Sequence, residues 1–361
     1  MKAGSPSIGV VIVSYNTREL LRACLESLRA CTRPLRIVVV DNASTDGSAA
    51  LVGGCFPEVE LLALERNIGF AAGSNLGVAH LLGPRDAEHT GTRRQGGREN
   101  GYRATHPRCP VSGLVLLLNP DTVVQPGAIE ALAAFLEAHP RVGVVGPRLL
   151  YPDGSVQPAA FRFPTLAMTA LDLFPPGEVL PGRLYNSWWH GRYPQEPTAA
   201  APFPIDHPLG ACMLTRRAVL EEVGLFDEGF FMYAEEVEWC RRVRAAGWAI
   251  WQEPRARVVH VGGASTRQAP ARMQIALYRS RMRYLRTWEP PGVVRLHRLI
   301  IRAGMLRAAL RAWRGYLRGA LSRDEVRERL WAYGTIMRYS GQPAELASEE
   351  SGGRCRLHSE R

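Results

Sequence analysis

The chain has 361 residues, of which 46% are hydrophobic and 22% are charged, so it is long enough for a large core and has an ordinary globular composition. The formal net charge is +11, and Lys2 is the only lysine among the 45 basic residues. Phosphate-loop NTPases and enzymes that form a Schiff base need a lysine inside the fold, so the composition argues against both classes.

The cysteines and the N-terminal residues indicate the cellular compartment in which the protein works. The seven cysteines are scattered and include no C-x-x-C pair, which is typical of a reducing compartment and argues against a zinc site. Residues 1–7 lack the basic stretch followed by an apolar stretch that a signal peptide has, and no run of about 18 apolar residues is present. We therefore expect a cytoplasmic protein without a membrane span.

The first part of the chain alternates predicted strands with predicted helices. The predicted strands are 8–14, 36–40, 59–64, 114–118 and 142–145, and the predicted helices are 18–29 and 127–138. Thr17 is the expected N-cap of the first helix. Strands separated by helices form βαβ units, so the pattern predicts an α/β fold with a mostly parallel sheet and right-handed crossovers.

The apolar run 114–118 ends in the turn Asn119-Pro120-Asp121. Proline cannot donate to a sheet ladder, so the strand stops there and delivers Asp121 to the edge of the sheet. Ligands of open α/β sheets bind outside the carboxyl ends of the strands, and a carboxylate at that place suits a divalent cation bound to a diphosphate. Alternatively, Asp121 caps a helix that starts near Pro126 or bonds to its own turn.

Polar residues also follow the other predicted strands and would meet at the same edge. They are Tyr15, the turn at Asp41, the turn that runs from Asn67 through Gly69 to Asn75, and Asn119 with Asp121. Together they predict a pocket for a nucleotide diphosphate and a metal ion. In this pocket, the carboxylate of Asp41 can accept a hydrogen bond from the imide N–H of uracil or thymine.

Alternatives stay open for these turns. Asp46 and Ser48 serve equally as caps of the following helix, and Gly69, Gly73 and Gly77 serve equally for close packing. No G-x-G-x-x-G fingerprint follows a strand, which weakens the interpretation as a dehydrogenase.

The second part of the chain has weaker patterns. Residues 151–155 predict a turn between two short strands, 161–203 show no period, 208–214 predict a strand, 217–223 a helix, 235–246 a helix, and 248–251 and 256–260 short strands.

Three residues of this part are candidates for catalysis or metal binding. Glu235 and Glu236 open a predicted helix, where the macrodipole alone accounts for two carboxylates. Beside a sugar acceptor, one of them could take the hydroxyl proton as a general base, and adjacent residues do not share a helix face. His260 follows a strand and either has a structural role or completes a metal site with Asp121.

Three further segments lie outside this pattern. Residues 83–113 are aperiodic and rich in Gly, Arg, Thr and Pro, so we interpret them as a disordered insertion. Residues 274–288, 293–317 and 324–339 predict basic helices, and 341–361 a disordered tail.

The middle one of these helices, 293–317, has two interpretations. Its arginines fall on two faces, with Arg295, Arg298 and Arg302 on one and Arg307, Arg311, Arg314 and Arg318 on the other. Either the helices pack on the main domain with solvated arginines, or they dock on an anionic membrane leaflet with the help of Trp313 and Tyr316.

Five segments of the chain resemble family 2 glycosyltransferases, and more narrowly the rhamnosyltransferase-like branch of bacterial cell-surface polysaccharide synthesis. The segments are 13–16 (VSYN), 40–48 (VDNASTDGS), 66–75 (RNIGFAAGSN), 118–121 (LNPD) and 231–238 (FMYAEEVE). They occur in order, and the resemblance spans roughly residues 8–285.

The resemblance implies a GT-A fold, a nucleotide-sugar donor, a divalent metal and inversion at the anomeric carbon. It assigns Asp41 to the base of the nucleotide, Asp121 to the metal and diphosphate, Glu236 to general-base catalysis and His260 to a second metal contact. The chain departs from the family pattern twice, because D-x-D reads Asn119-Pro120-Asp121 and the Glu-Asp pair reads Glu235-Glu236.

The sequence therefore predicts an inverting glycosyltransferase that uses Mg²⁺ or Mn²⁺. Its donor would be a nucleotide-diphosphate sugar, by resemblance dTDP-L-rhamnose, and its acceptor a lipid-linked glycan or a polysaccharide. We expect a GT-A domain at 1–265, a basic helical extension at 266–340, possible peripheral contact with the membrane and no nucleic-acid partner. The rival hypotheses are a sugar nucleotidylyltransferase, and a non-catalytic basic module that binds membranes or nucleic acid.

Overall fold

A computed structural model describes residues 7–83, 111–263 and 269–341. Most of the predicted insertion, 84–110, and the predicted tail after residue 341 lie outside the described residues. Residues 111–113, which the prediction gave to the insertion, instead begin a strand. The chain divides into two compact units, one with Met1–Phe161, Gln195–Glu228 and Trp239–Ser265, and one with Arg162–Pro194, Gly229–Glu238 and Thr266–Arg361. The predicted domain limits stay a prediction.

The first unit is built on a large mixed sheet. Its strands are β1 Ser7–Ser14, β2 Leu35–Asp41, β3 Glu60–Ala63, β4 Val111–Leu118, β5 Thr122–Val124, β6 Val142–Leu150, β7 Val156–Gln157, β9 Phe203–Pro204, β11 Cys212–Arg216 and β12 Ala249–His260. A separate pair is formed by β8, Ala160–Phe161, and β10, His207–Pro208.

The order of strands confirms the predicted mostly parallel sheet. Within the described residues it is β3-β2-β1-β4-β11-β6-β12-β5, with β7 paired to β6 and β9 to β12. Neighbours among β1 to β4 pair in parallel, as do β6 and β12, whereas β11 is antiparallel to β4 and β6, and β5 is antiparallel to β12. The long apolar runs of β1, β2 and β4 are typical of strands buried on both faces.

Helices cover the sheet and build the second unit. In the first unit they are α1 Arg18–Leu28, α2 Ser48–Cys55, α3 Phe70–Leu82, α4 Ala128–Ala138 and α6 Arg217–Val223. Those of the second unit are α5 Leu166–Leu173, α8 Pro270–Trp288, α9 Pro291–Leu317 and α10 Arg323–Gly341, while α7, Glu235–Ala245, takes residues from both. No helix in the described ranges is long and apolar enough to span a bilayer.

Strand β1 shows how the two faces of the sheet are filled. Val10 and Ile12 belong to a core cluster that includes buried residues of α1, α2 and α4. The alternate side chains Val11 and Val13 face α3, where an added Cβ at Gly77 would overlap Val11 Cγ1 and one at Gly73 would lie 3.0 Å from Val13 Cγ1. The packing alternative is therefore correct for these two glycines, because they let α3 lie close to β1.

Two predicted strand patterns differ from the observed ones. The strand predicted at 208–214 begins only at Cys212, since Leu209 N–H instead donates to Ala159 O at 2.8 Å, next to the small β8–β10 pair. The two short strands predicted at 248–251 and 256–260 form one strand, β12. Its register against β6 shifts between Glu253 and Arg257. A bulge therefore separates two segments in which buried and exposed side chains alternate independently.

Candidate functional site

The carboxyl ends of β1, β2 and β4 bring several predicted residues to one edge of the first unit. Ser14 at the end of β1 is in register with Asp41 at the end of β2, and Ile12 is in register with Leu118. Tyr15 follows β1 directly and is half-buried. Because β1 alone lies between β2 and β4, Asp41 and the turn after β4 are roughly 10 Å apart, two strand spacings.

Asp41 is buried and only partly satisfied. Its Oδ2 accepts a hydrogen bond from Ser44 N–H at 3.0 Å. Its Oδ1 is also buried, and it accepts no hydrogen bond from any residue that the structure describes. A buried carboxylate oxygen without a donor costs free energy, so Oδ1 is available to a donor that a ligand would supply.

Asparagines hold the loops around this carboxylate in place. Asn42 accepts from Ile68 N–H at 2.9 Å and donates to Gly69 O at 3.1 Å, which ties the end of β2 to the turn before α3. Asn16 accepts from Thr45 N–H at 2.8 Å. Sequence reasoning missed both roles; the signal for them is an Asn that directly follows, or lies two residues beyond, a buried strand.

The backbone of these loops is unusual. Asn16 has a φ of 50° and Ala43 a φ of 64°, in the left-handed region that a residue with a Cβ seldom adopts. Such conformations persist where the surrounding structure determines them, and they concentrate at ligand sites.

Asp46 caps two helices, of which the structural alternative for this residue predicts only the following one, α2. Its Oδ2 accepts from Arg18 N–H at 2.8 Å at the start of α1, and its Oδ1 accepts from Ser48 N–H at 3.0 Å at the start of α2. The predicted cap of α1 by Thr17 is wrong, because the Thr17 side chain makes no cap bond and its hydroxyl lies 3.0 Å from that of Ser14. A cap that comes from a distant loop leaves no local sequence signal.

The segment 67–75 contributes mainly internal bonds. Asn67 Oδ1 accepts from Gly69 N–H at 2.9 Å, and Gly69 has a φ of 89°. Asn75 lies inside α3, where its amide donates to Phe226 O at 2.9 Å and accepts from Phe226 N–H at 3.0 Å. The predicted contacts of these residues with a nucleotide stay predictions.

Asp121 and His260 meet at the same edge. Only three residues, 119–121, connect β4 to β5, and β5 pairs with the end of β12 so that Thr122 is in register with His260. Asp121 Oδ1 lies 3.4 Å from His260 Nε2, and both side chains are buried. The alternative that Asp121 caps α4 is wrong, because this helix begins after Gly127 without a side-chain cap.

A third residue holds the imidazole of His260. Nδ1 of His260 lies 3.0 Å from Oε1 of Gln157, a nearly buried residue of β7. If Nδ1 carries the proton and donates to Gln157, the lone pair of Nε2 points to the side of Asp121. Sequence reasoning missed Gln157, since it lies on a short strand far along the chain from both partners. Asn119, also predicted here, is half-buried and donates its N–H to Ala211 O at 2.8 Å.

The donor set of Asp121 and His260 fits a shared metal ion. Among residues 7–83, 111–263 and 269–341, no group of three or more His, Cys, Asp or Glu side chains is arranged to hold a metal. One carboxylate and one imidazole leave most coordination positions of a six-coordinate ion open. Mg²⁺ is commonly bound by one or two carboxylates, with substrate phosphates and water as its further ligands.

Glu235 and Glu236 belong to the second unit and begin α7. Glu235 is buried, and burial together with the neighbouring charge of Glu236 raises the pKa of the Glu235 carboxyl well above 4.5. Glu236 is half-buried. Tyr233 and Ala234, immediately before them, have φ values of 70° and 64°. Two consecutive strained residues fix the direction in which the helix starts, as is typical of a functional site.

Comparisons with known proteins show the family of the chain. Residues 6–283 match the family model described as glycosyltransferase like family 2. The chain is 33% identical to the N-acetylglucosaminyl-diphospho-decaprenol L-rhamnosyltransferase of Mycobacterium tuberculosis. The aligned region covers 75% of this chain and 81% of that protein. The chain is 25% identical, over 66% of its length and 61% of that protein, to a low-salt glycan biosynthesis hexosyltransferase of Haloferax volcanii.

The fold is also that of solved glycosyltransferases. A mannosyltransferase from Pyrobaculum calidifontis, solved in complex with GDP-Man and Mn²⁺, superposes with a TM-score of 0.50 at 16% identity, over 93% of this chain and 88% of that one. This likeness supports the fold alone, and it confirms the predicted GT-A architecture. By its match over most of its length and by its relatives, the chain belongs to glycosyltransferase family 2.

Proposed function

We propose that this protein transfers L-rhamnose from dTDP-L-rhamnose to a lipid-linked acceptor that carries a sugar diphosphate, in the synthesis of a cell-surface glycan. The observation that carries the proposal is the 33% identity to a relative, over 81% of the relative's length, whose name describes L-rhamnose transfer to N-acetylglucosaminyl-diphospho-decaprenol. Family membership disfavours the two rival hypotheses, a nucleotidylyltransferase and a non-catalytic basic module.

The donor would lie at the carboxyl edge of the first unit. The unpartnered Oδ1 of Asp41 supports a hydrogen bond from the imide N–H of the thymine base. Tyr15, Asn67, Gly69, Asn75 and Asn119 would line or position the rest of the nucleotide site.

Asp121 and His260 would hold Mg²⁺ or Mn²⁺ together with the diphosphate of the donor. When bound, the ion would offset the negative charge that develops on the leaving nucleoside diphosphate. The residues of the chain have the other tasks: Gln157 orients the imidazole of His260, and Asn42 and Asn16 hold the loops on both sides of Asp41.

Glu236 would be the general base, with Glu235 as the alternative. The acceptor hydroxyl would attack the anomeric carbon, the carboxylate would take the hydroxyl proton, and the bond from the anomeric carbon to the diphosphate oxygen would break with inversion. Both carboxylates belong to the same strained helix start, and Glu236 is the more accessible of the two, which favours it as the proton acceptor.

A panel of donors tests this function. Thermal unfolding of the full chain is followed with dTDP-, UDP- and GDP-sugars, each with Mn²⁺ and with EDTA. A ligand that binds the native state raises the melting temperature by mass action. We expect the largest rise with dTDP-L-rhamnose and Mn²⁺. An equal rise with GDP-sugars, or none with any nucleotide sugar, would contradict the proposal.

A further inference from the structure

Helix α9 of the second unit exposes a continuous row of apolar side chains, the α9 stripe. Its members are Leu296, Leu299, Ala303, Leu306, Leu310, Trp313 and Leu317. They alternate three and four residues apart, so they share one face of the helix. The six large ones have between 49% and 68% of their surface exposed. Singly exposed leucines are common, whereas an exposed row along a whole helix marks an interaction surface.

The opposite face of α9 is packed, so the orientation of the stripe is fixed by the second unit. Val294, Ile301, Met305 and Ala312 are buried, and the helix contacts α5 and α10. At about 100° per residue, these positions lie on the side of the helix opposite the stripe. The α9 stripe is therefore not the inner face of the second unit but its outer surface.

Helix α9 and its C-cap residue, Arg318, are strongly basic. Residues 291–318 contain seven arginines and no Asp or Glu. Arg295 and Arg302 border the N-terminal half of the stripe on one side, and Arg314 and Arg318 border the C-terminal half on the other. None of these four side chains forms an ion pair with a described residue. The nearby acidic residue Glu178 instead pairs with Arg307 and Arg311.

The positive charges also act on one another. The pKa of Arg298 is lowered by burial and by repulsion from the guanidinium groups of Arg286, Arg295 and Arg302. Positive charges that lie this close together attract an anionic surface.

An exposed apolar row on a helix can bind a second copy of the chain or a lipid surface, and the charge of α9 decides between the two. A second copy of the chain, packed stripe against stripe, would bring the arginines of both copies together without a carboxylate on α9 to pair with them. An anionic lipid surface supplies the opposite charge and an apolar layer beneath it. Trp313 and Tyr316, whose rings are 5.8 Å apart, are residue types enriched at the boundary of lipid and water.

We propose that α9 lies in the headgroup region of an anionic bilayer, with the α9 stripe toward the acyl chains and the bordering arginines on lipid phosphates. The helix would lie along the membrane surface. This inference needs no assumption about which sugar is transferred, and it names the partner of the second unit rather than a part of the candidate active site.

Vesicle binding of the full chain tests the proposal. Sedimentation is measured with vesicles of phosphatidylcholine alone and with added phosphatidylglycerol. The double variant Leu306→Glu/Leu310→Glu places two charges in the stripe, and Arg295→Gln/Arg302→Gln removes two charges at its border. Leu76→Glu, at an exposed leucine of α3 in the first unit, is the control.

We expect binding only to the anionic vesicles and weaker binding at high salt. Each double variant should lower the partition coefficient roughly tenfold or more, because Arg295→Gln/Arg302→Gln removes two cations that bind anionic headgroups and Leu306→Glu/Leu310→Glu places two anions in the apolar stripe. The control should bind like the wild type. All substituted side chains are exposed, and an unchanged melting temperature shows that the variants fold.

Tryptophan emission gives a second readout. On vesicle addition, the blue shift should be lost in Trp313→Phe and kept in Trp331→Phe, because both side chains are 50% exposed but only Trp313 belongs to the stripe. The proposal is wrong if the wild type does not bind anionic vesicles, or if Leu306→Glu/Leu310→Glu binds them equally well. It is equally wrong if that variant only dissociates a dimer of the wild type, as measured by analytical ultracentrifugation.

Discussion

Nε2 of His260 lies 3.4 Å from Oδ1 of Asp121, although 138 residues separate the two in the chain. Pairing of the short strand β5 with the end of β12 brings them together, and both side chains are buried. A buried carboxylate beside an imidazole, at the edge where the parallel strands end, is the central feature of the proposed donor site.

Substituting Asp121 by Asn should remove the effect of the metal on donor binding. The amide keeps the size of the side chain but loses the charge that a hard cation requires. We expect Mn²⁺ to strengthen the binding of dTDP-L-rhamnose to the wild type at least about tenfold and to have little effect on Asp121→Asn. Isothermal titration calorimetry with Mn²⁺ and with EDTA measures both. Asp153→Asn, in the exposed hairpin turn, is the control, and an unchanged Mn²⁺ effect in Asp121→Asn would refute the assignment.

Gln157 should matter for metal binding through His260. The variant Gln157→Leu loses the acceptor 3.0 Å from Nδ1, so the imidazole is no longer held in one orientation. Loss of such an outer partner typically lowers metal affinity about tenfold or more. Titration with Mn²⁺ in the presence of dTDP should show this loss, and Gln157→Glu, which keeps an acceptor oxygen, should restore most of the affinity. Equal affinities of Gln157→Leu and the wild type would mean that Gln157 does not position His260.

The side chain of Asn75 should contribute more to stability than that of Leu76, its neighbour on α3. The variant Asn75→Ala leaves the backbone N–H and C=O of Phe226 without their partners, and we expect it to lower the free energy of unfolding by about 2–3 kcal/mol. Leu76→Ala, at a position 38% exposed, should cost less than about 1 kcal/mol. Urea denaturation of both variants checks the difference. Similar losses would contradict a specific role of the Asn75 amide.

The buried carboxyl of Glu235 should make stability depend on pH. Its pKa is raised in the folded protein, so the native state binds more protons than the unfolded state once the pH exceeds 4.5. Stability is therefore lost as the pH rises from that value toward the raised pKa. Glu235→Gln removes the titration, so the variant should gain stability relative to the wild type at about pH 8 and less at about pH 5. Urea denaturation at both pH values measures the gain in stability of the variant, and a gain that is larger at the lower pH would contradict the prediction.

The sequence predicted β1, β2 and β4 because each of these strands is a short apolar run with a polar turn after it. Asp41, Asp121 and His260 could be placed at one edge for the same reason, since carboxyl ends of parallel strands meet. Gln157 and the double cap by Asp46 could not be predicted, because their partners come from distant segments and no local spacing encodes them.

Helix α9 shows a different limit of sequence reasoning. Its buried face, with Val294 and Ile301, and its exposed stripe, with Leu299 and Leu306, are both apolar. Two opposite apolar faces cancel the single period from which an amphipathic helix is normally recognised. Only the packing of the second unit shows which of the two faces is covered.

The most direct test of the central claim is transfer itself. The full chain is incubated with dTDP-L-rhamnose, Mn²⁺ and a polyprenyl-diphosphate N-acetylglucosamine acceptor, and the acceptor is analysed by mass spectrometry. We expect one rhamnose to be added by the wild type and none by Glu236→Gln, which should still bind the donor. An unmodified acceptor with dTDP-, UDP- and GDP-sugars alike, or turnover by Glu236→Gln at the rate of the wild type, would contradict the account.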